Sequence, residues 1–140
     1  MTGNDIQTDL NKLIEEWIDT PEQTKKAFLR LKKHLESQSE VKFDFNARPG
    51  ISYSLRATHN KQKRQLYVML DIIDDDPENR WLSICFYGEM ITDPDEVGDL
   101  VPEGLLGEDG HCFDVDDWDE NNLKYLEARL DEAHQNASEE

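Results

Sequence analysis

Long apolar runs are missing from this sequence: 34% of its 140 residues are charged against 36% apolar, and no stretch approaches the ~20 residues that a membrane helix needs. Met1 to Leu10 shows no basic region followed by an apolar one, so neither a span nor a signal peptide is expected, and a soluble cytoplasmic protein is. Cysteine is scarce. Cys85 and Cys112 are the two present, too few for the disulfide framework of small secreted domains. Free thiols in a reducing cytoplasm are the expectation, Cys85 as a buried strand residue and Cys112 as the thiol to test for reactivity. Basic residues are nearly absent after position 70, and no internal repeat is visible.

What is present is acid, unevenly placed. The formal charge is −17, yet residues 25–64 hold eleven of the fifteen basic residues against three acids, a net of +8, while residues 71–140 hold 23 acids against three basic residues, a net of −20. Oppositely charged segments often fold against one another and neutralise, so the sequence polarity becomes a surface polarity only if the fold keeps them apart.

The chain length suits a single α+β domain with a modest core. Ile6, Leu10, Leu13, Ile14, Trp17 and Ile18 recur at helical spacing and predict a first helix ending near Asp19. Thr20-Pro21-Glu22-Gln23 then reads as a capping box opening a second helix, with Ala27, Phe28, Leu31 and Leu35 on its apolar side, so that 1–40 forms a helical hairpin. From Val41 the period changes to two, and 41–88 reads as four strands in an antiparallel meander. The strand Leu66 to Ile73 is apolar on both faces until Asp71 and is therefore central. Residues 89–115, broken by Pro94, Gly98, Pro102 and Gly104, are expected to be a loop with a short fifth strand at His111 to Val115. A final helix over 116–137 carries Leu123, Leu126, Leu130 and Ala133, with acids at its start where the helix dipole favours them. The expected fold is thus a four- to five-stranded antiparallel meander with two N-terminal helices and one C-terminal helix packed on it.

Candidate chemistry is sparse. The acidic segment Asp114 to Glu120 fails the EF-hand template, since Trp118 and Asp119 fall where a ligand and the turn glycine belong. The four histidines and two cysteines show no paired zinc spacing. No cofactor, metal site or catalytic residue is assigned. Gly104, Gly107 and Gly110 sit among Glu103, Glu108 and Asp109, the wrong surroundings for a phosphate loop, although a pocket near this loop would suit a small molecule or an enzyme.

Two binding surfaces are expected instead. Lys61, Lys63 and Arg64 at a hairpin tip, with Arg56 nearby, form the basic patch that a nucleic acid would contact, although the −20 segment opposes a polyanion. Tyr67, Met69 and Ile73, with Trp81 and Tyr87 on the next strand, form a second apolar sheet face that suits a protein partner or a homodimer if helices cover only the other face.

The order of helices, meander, short strand and C-terminal helix resembles small bacterial domains of unknown function of the YdhG and DUF5655 type, in stretches such as Ile51-Ser52-Tyr53-Ser54-Leu55-Arg56 and Phe113-Asp114-Val115-Asp116-Asp117 leading into Leu123 to Ala133. The likeness spans roughly 41–137, rests on hydrophobic pattern, and implies a fold without a reaction. The expected function is a non-catalytic protein-binding or self-associating module, chaperone- or adaptor-like. The basic tip supplies the alternative of nucleic-acid association, and the Gly104 to Gly110 loop that of a small-molecule or enzymatic pocket.

Overall fold

The computed structural model describes residues 2–140, with side chains described from Thr8 onward; Ile6, expected on the first apolar stripe, lies outside those side chains. Among the described residues the chain forms helices α1 (Thr2–Glu16), α2 (Thr24–Ser37) and α3 (Glu120–Ser138), and strands β1 (Val41–Arg48), β2 (Ser52–His59), β3 (Val68–Ile73), β4 (Trp81–Tyr87), β5 (Asp99–Leu105) and β6 (Glu108–Val115). The strands make one antiparallel sheet in the order β1-β2-β3-β4-β6-β5. The α+β meander is therefore present, with six strands rather than four or five.

The extra strand is β5, within a segment that the sequence marks as loop. Pro102 lacks a ladder N–H, and the register breaks between Val101 and Leu105, which is how an edge strand tolerates a proline. Leu105 pairs with Glu108, so the chain reverses through Leu106 and Gly107 alone, at φ 52° and 85°. Two positive φ values are what a two-residue hairpin of the type I′ class needs, and glycine meets the second without steric cost.

The helix starts follow local chemistry. Asp119 caps α3, its Oδ1 accepting the N–H of Asn121 at 3.0 Å and of Asn122 at 3.2 Å. The expected capping box at Thr20 does not form. Thr20 to Gln23 closes a turn, with the Gln23 N–H on the Thr20 carbonyl at 2.9 Å, and α2 begins only at Thr24 after a left-handed Gln23. Asp19 takes the capping role, its Oδ1 accepting the Thr20 N–H at 3.0 Å and the Lys25 N–H at 3.2 Å. Ile18, expected on the apolar stripe, lies beyond the helix end and is 82% exposed.

All three helices lie on one face of the sheet. Leu31 of α2 and Leu126 and Leu130 of α3 converge on Leu70 and Ile84. α1 covers the β1 side, where Trp17 meets Phe28 of α2 at 5.7 Å between ring centres and the Arg80 guanidinium lies over the rings of both Trp17 and Tyr53. Alternate strand residues Leu55, Ala57, Val68, Leu70, Ile72, Leu82, Ile84, Phe113 and Val115 supply the sheet side of this core and are buried. Each large aliphatic or aromatic side chain so enclosed contributes roughly 1.5–3 kcal/mol. The opposite face carries no helix among the described residues.

Candidate docking surface

The uncovered face is defined by register. Arg56, Met69, Cys85, Cys112 and Asp99 stand side by side across β2, β3, β4, β6 and β5; Ser54, Asp71, Ser83 and Asp114 form the next row, and Ser52, Ile73 and Trp81 the one after. Met69, Ile73, Trp81 and Cys112 are half-buried there, shielded by their neighbours and by no further layer. The middle of the face is thus two apolar patches, Met69 with the cysteines and Ile73 with Trp81, separated by the polar row of Ser54, Asp71 and Ser83, and its charge is divided. Lys42, Arg48 and Arg56 lie on the β1–β2 flank with Asp44, and Asp99 and Asp114 lie on the β6–β5 flank.

Several expected residues fall elsewhere. Tyr67 precedes β3, and the alternation breaks there: its ring is fully buried on the helix side against His134, and its hydroxyl donates to Gln38 Oε1. Burial pushes that phenol well above its ordinary range. Tyr87 has the parity of the open face but is only 2% exposed, because the Arg64 guanidinium stacks on its ring at 4.7 Å. Met69 and Trp81 occupy the open face as expected from alternation, and Arg56, expected beside the basic tip, lies on that face next to Met69.

The basic tip is not a free patch. Arg64 pairs with Glu89, with Glu108 at 3.5 Å and with Glu140 at 3.6 Å, and the backbone N–H groups of Lys63 and Arg64 both donate to Glu140 Oε1 at 3.2 Å. Lys61 remains 67% exposed, its Nζ 4.0 Å from Glu40. Elsewhere Arg30 of α2 forks onto Glu127 and reaches Glu120 at 2.7 Å on α3. The basic segment therefore folds against the acidic one at Arg30 and Arg64, and the sequence polarity is neutralised in space at those two points.

The cysteines are not free. β6, not β5, lies next to β4, and the register sets Cys85 opposite Cys112 on the open face, where the two are joined by a disulfide across a sequence separation of 27. His111 points to the other side of β6, where Asp93 Oδ2 accepts from its Nε2 at 2.8 Å. Desolvation alone would raise the Asp93 carboxyl, but bonds from the Tyr125 hydroxyl, the His111 ring and the amides of Gly98 and Val97 hold it well below the usual carboxylate range.

Near the Gly104 to Gly110 loop there is an open cleft of about 530 Å³, lined by Tyr87, Glu89, Leu100, Glu103, Glu108 and His111. Leu105 and Leu106 do not line it: Leu105 is buried and Leu106 is 48% exposed. The one imidazole in the cleft is bonded to a carboxylate, not to a nucleophile, so the arrangement lacks the nucleophile–base contact of covalent catalysis. Among the described residues no three histidine, cysteine or carboxylate side chains converge as a metal site would need, and no helix is long and apolar enough to cross a membrane.

The residues that pattern reading missed here are Asp71, Asp99 and Asp114. The signal was available for Asp71, which alternates with Met69 and Ile73, and for Asp114, which alternates with Cys112, but not for Asp99, which lies in the segment expected to be loop. No family model, no curated protein and no solved structure matches the chain.

Proposed function

We propose that this protein is a non-catalytic protein-binding module, adaptor- or chaperone-like, that docks another polypeptide on the uncovered sheet face. The observation that carries this reading is the placement of all three helices on one side, which leaves Met69, Ile73, Trp81 and the Cys85–Cys112 bond uncovered around Asp71, with charged flanks. Apolar side chains grouped inside a charged rim are how docking surfaces are built. The nucleic-acid alternative is the weaker reading, since Arg64 at the basic tip is engaged by three carboxylates, although Lys61 there is exposed. The pocket alternative has a cleft, but one walled by Glu89, Glu103, Glu108 and Asp109 without an activated group. The likeness to the small bacterial domains remains one of element order.

The cytoplasmic location belongs to the same reading and sits less easily with the disulfide, since such bonds persist chiefly in oxidising compartments. Alkylating thiols in intact cells before lysis shows which redox state prevails.

The docking reading is tested by placing a photo-crosslinking amino acid at Ile73 in the producing cells, with a control at Lys33 on α2. A discrete crosslinked product from position 73, lost on Met69→Asp, is expected. Equal products from both positions, or none from 73, would sink it.

A further inference from the structure

We propose that the occupant of the open face is a second copy of this chain, seated across a two-fold axis that runs parallel to the strands between β3 and β4. The proposal rests on the docking reading above and adds the partner's identity from charge. The face is not uniformly acidic, although the chain is. Lys42, Arg48 and Arg56 outnumber Asp44 on the β1–β2 flank, Asp99 and Asp114 lie on the β6–β5 flank, and Asp71, its carboxyl raised by burial, lies between them. A basic partner would complement one flank and repel the other, and an acidic partner the reverse. A second copy turned about this axis lays each basic flank over the partner's acidic flank, so both halves are satisfied at once by the same surface, as an isologous interface requires.

The flanking groups are suited to this. Arg56 spends its Nε on Ser54 Oγ at 3.1 Å, acts on Asp71 by its charge and has no carboxylate within salt-bridge distance among the described residues. Asp114 is exposed and has no basic partner among the described residues; partial burial and its neighbours Asp99 and Asp116 push its carboxyl above the ordinary range. An arginine arriving from the other copy relieves that repulsion. Between the flanks, Met69, Ile73 and Trp81 of one sheet meet those of the other, in the manner of two sheets packed about 10 Å apart.

Sedimentation of the purified oxidised chain from about 1 to about 100 µM tests the assignment, a range that spans micromolar self-association. A concentration-dependent dimer is expected, weakened roughly tenfold or more by Arg56→Glu alone and by Asp114→Arg alone. Mixing the two variants restores both contacts, so the mixture should dimerise when neither variant does by itself. Far-UV circular dichroism confirms that each is folded, and Asp114, being exposed, is the safer of the two. A dimer indifferent to both substitutions, or a mixture that stays monomeric, overturns the proposal. A chain monomeric throughout whose position 73 still crosslinks to a different protein overturns the second copy and leaves the docking reading standing; a monomer without that crosslink removes both.

Discussion

Asp71 sits in the middle of β3 on the open face, and its position is costly. Its Oδ1 is buried without a hydrogen-bond partner. Burial pushes the carboxyl above its ordinary value of 3.8, opposed by the Ser54 hydroxyl and by the charges of Arg56 and Arg48. An acid whose folded pKa is raised binds its proton more readily folded than unfolded. The fold is therefore favoured as pH falls toward the ordinary value and disfavoured as pH rises through the folded one. At neutral pH the ionised group is a net cost, and an unsatisfied buried acceptor is worth about 1–3 kcal/mol. Asp71→Asn should thus stabilise the chain by about 1 kcal/mol at neutral pH, with the gain shrinking as the pH is lowered toward 4. Thermal melts of both proteins at the two pH values check this, and a loss of stability on Asp71→Asn at neutral pH would show that the charge is held for the fold after all. A residue that breaks a local rule at the centre of a candidate surface is where a functional constraint is expected.

At the scale of elements, the sheet has a weak side. β5 is held to the rest only through β6, with a broken register and Pro102 in its course, and β6 is tied to β4 by the Cys85–Cys112 bond. Closing a loop of that length restricts the unfolded chain enough to stabilise the fold by about 3.5 kcal/mol on the entropic account. Cys85→Ser with Cys112→Ser should lower stability by roughly this amount. Hydrogen exchange should rise first in β5 and β6 while β1 to β3 keep their protection. Uniform loss across the sheet would mean that the bond staples the whole domain and not its edge. These elements were also the hardest to foresee. Three helices and the four strands of the meander were legible because apolar residues recur at periods of 3.6 and 2, and part of β6 as a short strand at His111 to Val115, whereas β5 holds both glycine and proline and needs a bulge. The cysteine pairing depends on β6, not β5, lying beside β4, a choice made by long-range packing that no local pattern records. Met69 and Trp81 could be placed by alternation within their strands. Tyr67 could not, since the alternation fails one residue before β3 begins.

For the molecule as a whole, the question is whether its charge helps or harms the fold. Arg30, Arg64 and Arg80 each tie distant or turn segments together, at 2.7 Å for the closest contacts of Arg30 and Arg80, and these pairs are short and partly sheltered. The unpaired remainder is far larger: a formal −17 spread over a small surface, much of it in carboxylates separated by distances comparable to the screening length, which is about 10 Å at 0.1 M salt and about 30 Å at 0.01 M. Salt weakens the long-range repulsion first and the short, half-buried pairs less. The chain should therefore gain several degrees in Tm between about 10 mM and about 200 mM sodium chloride, a change of order 1 kcal/mol for a domain of this size. Chloride is the appropriate anion, because sulfate stabilises proteins by exclusion from their surfaces irrespective of charge. Using the Met69→Asp chain keeps self-association from contributing. A Tm that falls with salt would mean that the cross-segment ion pairs outweigh the net repulsion, and that folding the basic segment onto the acidic one is what holds this domain together.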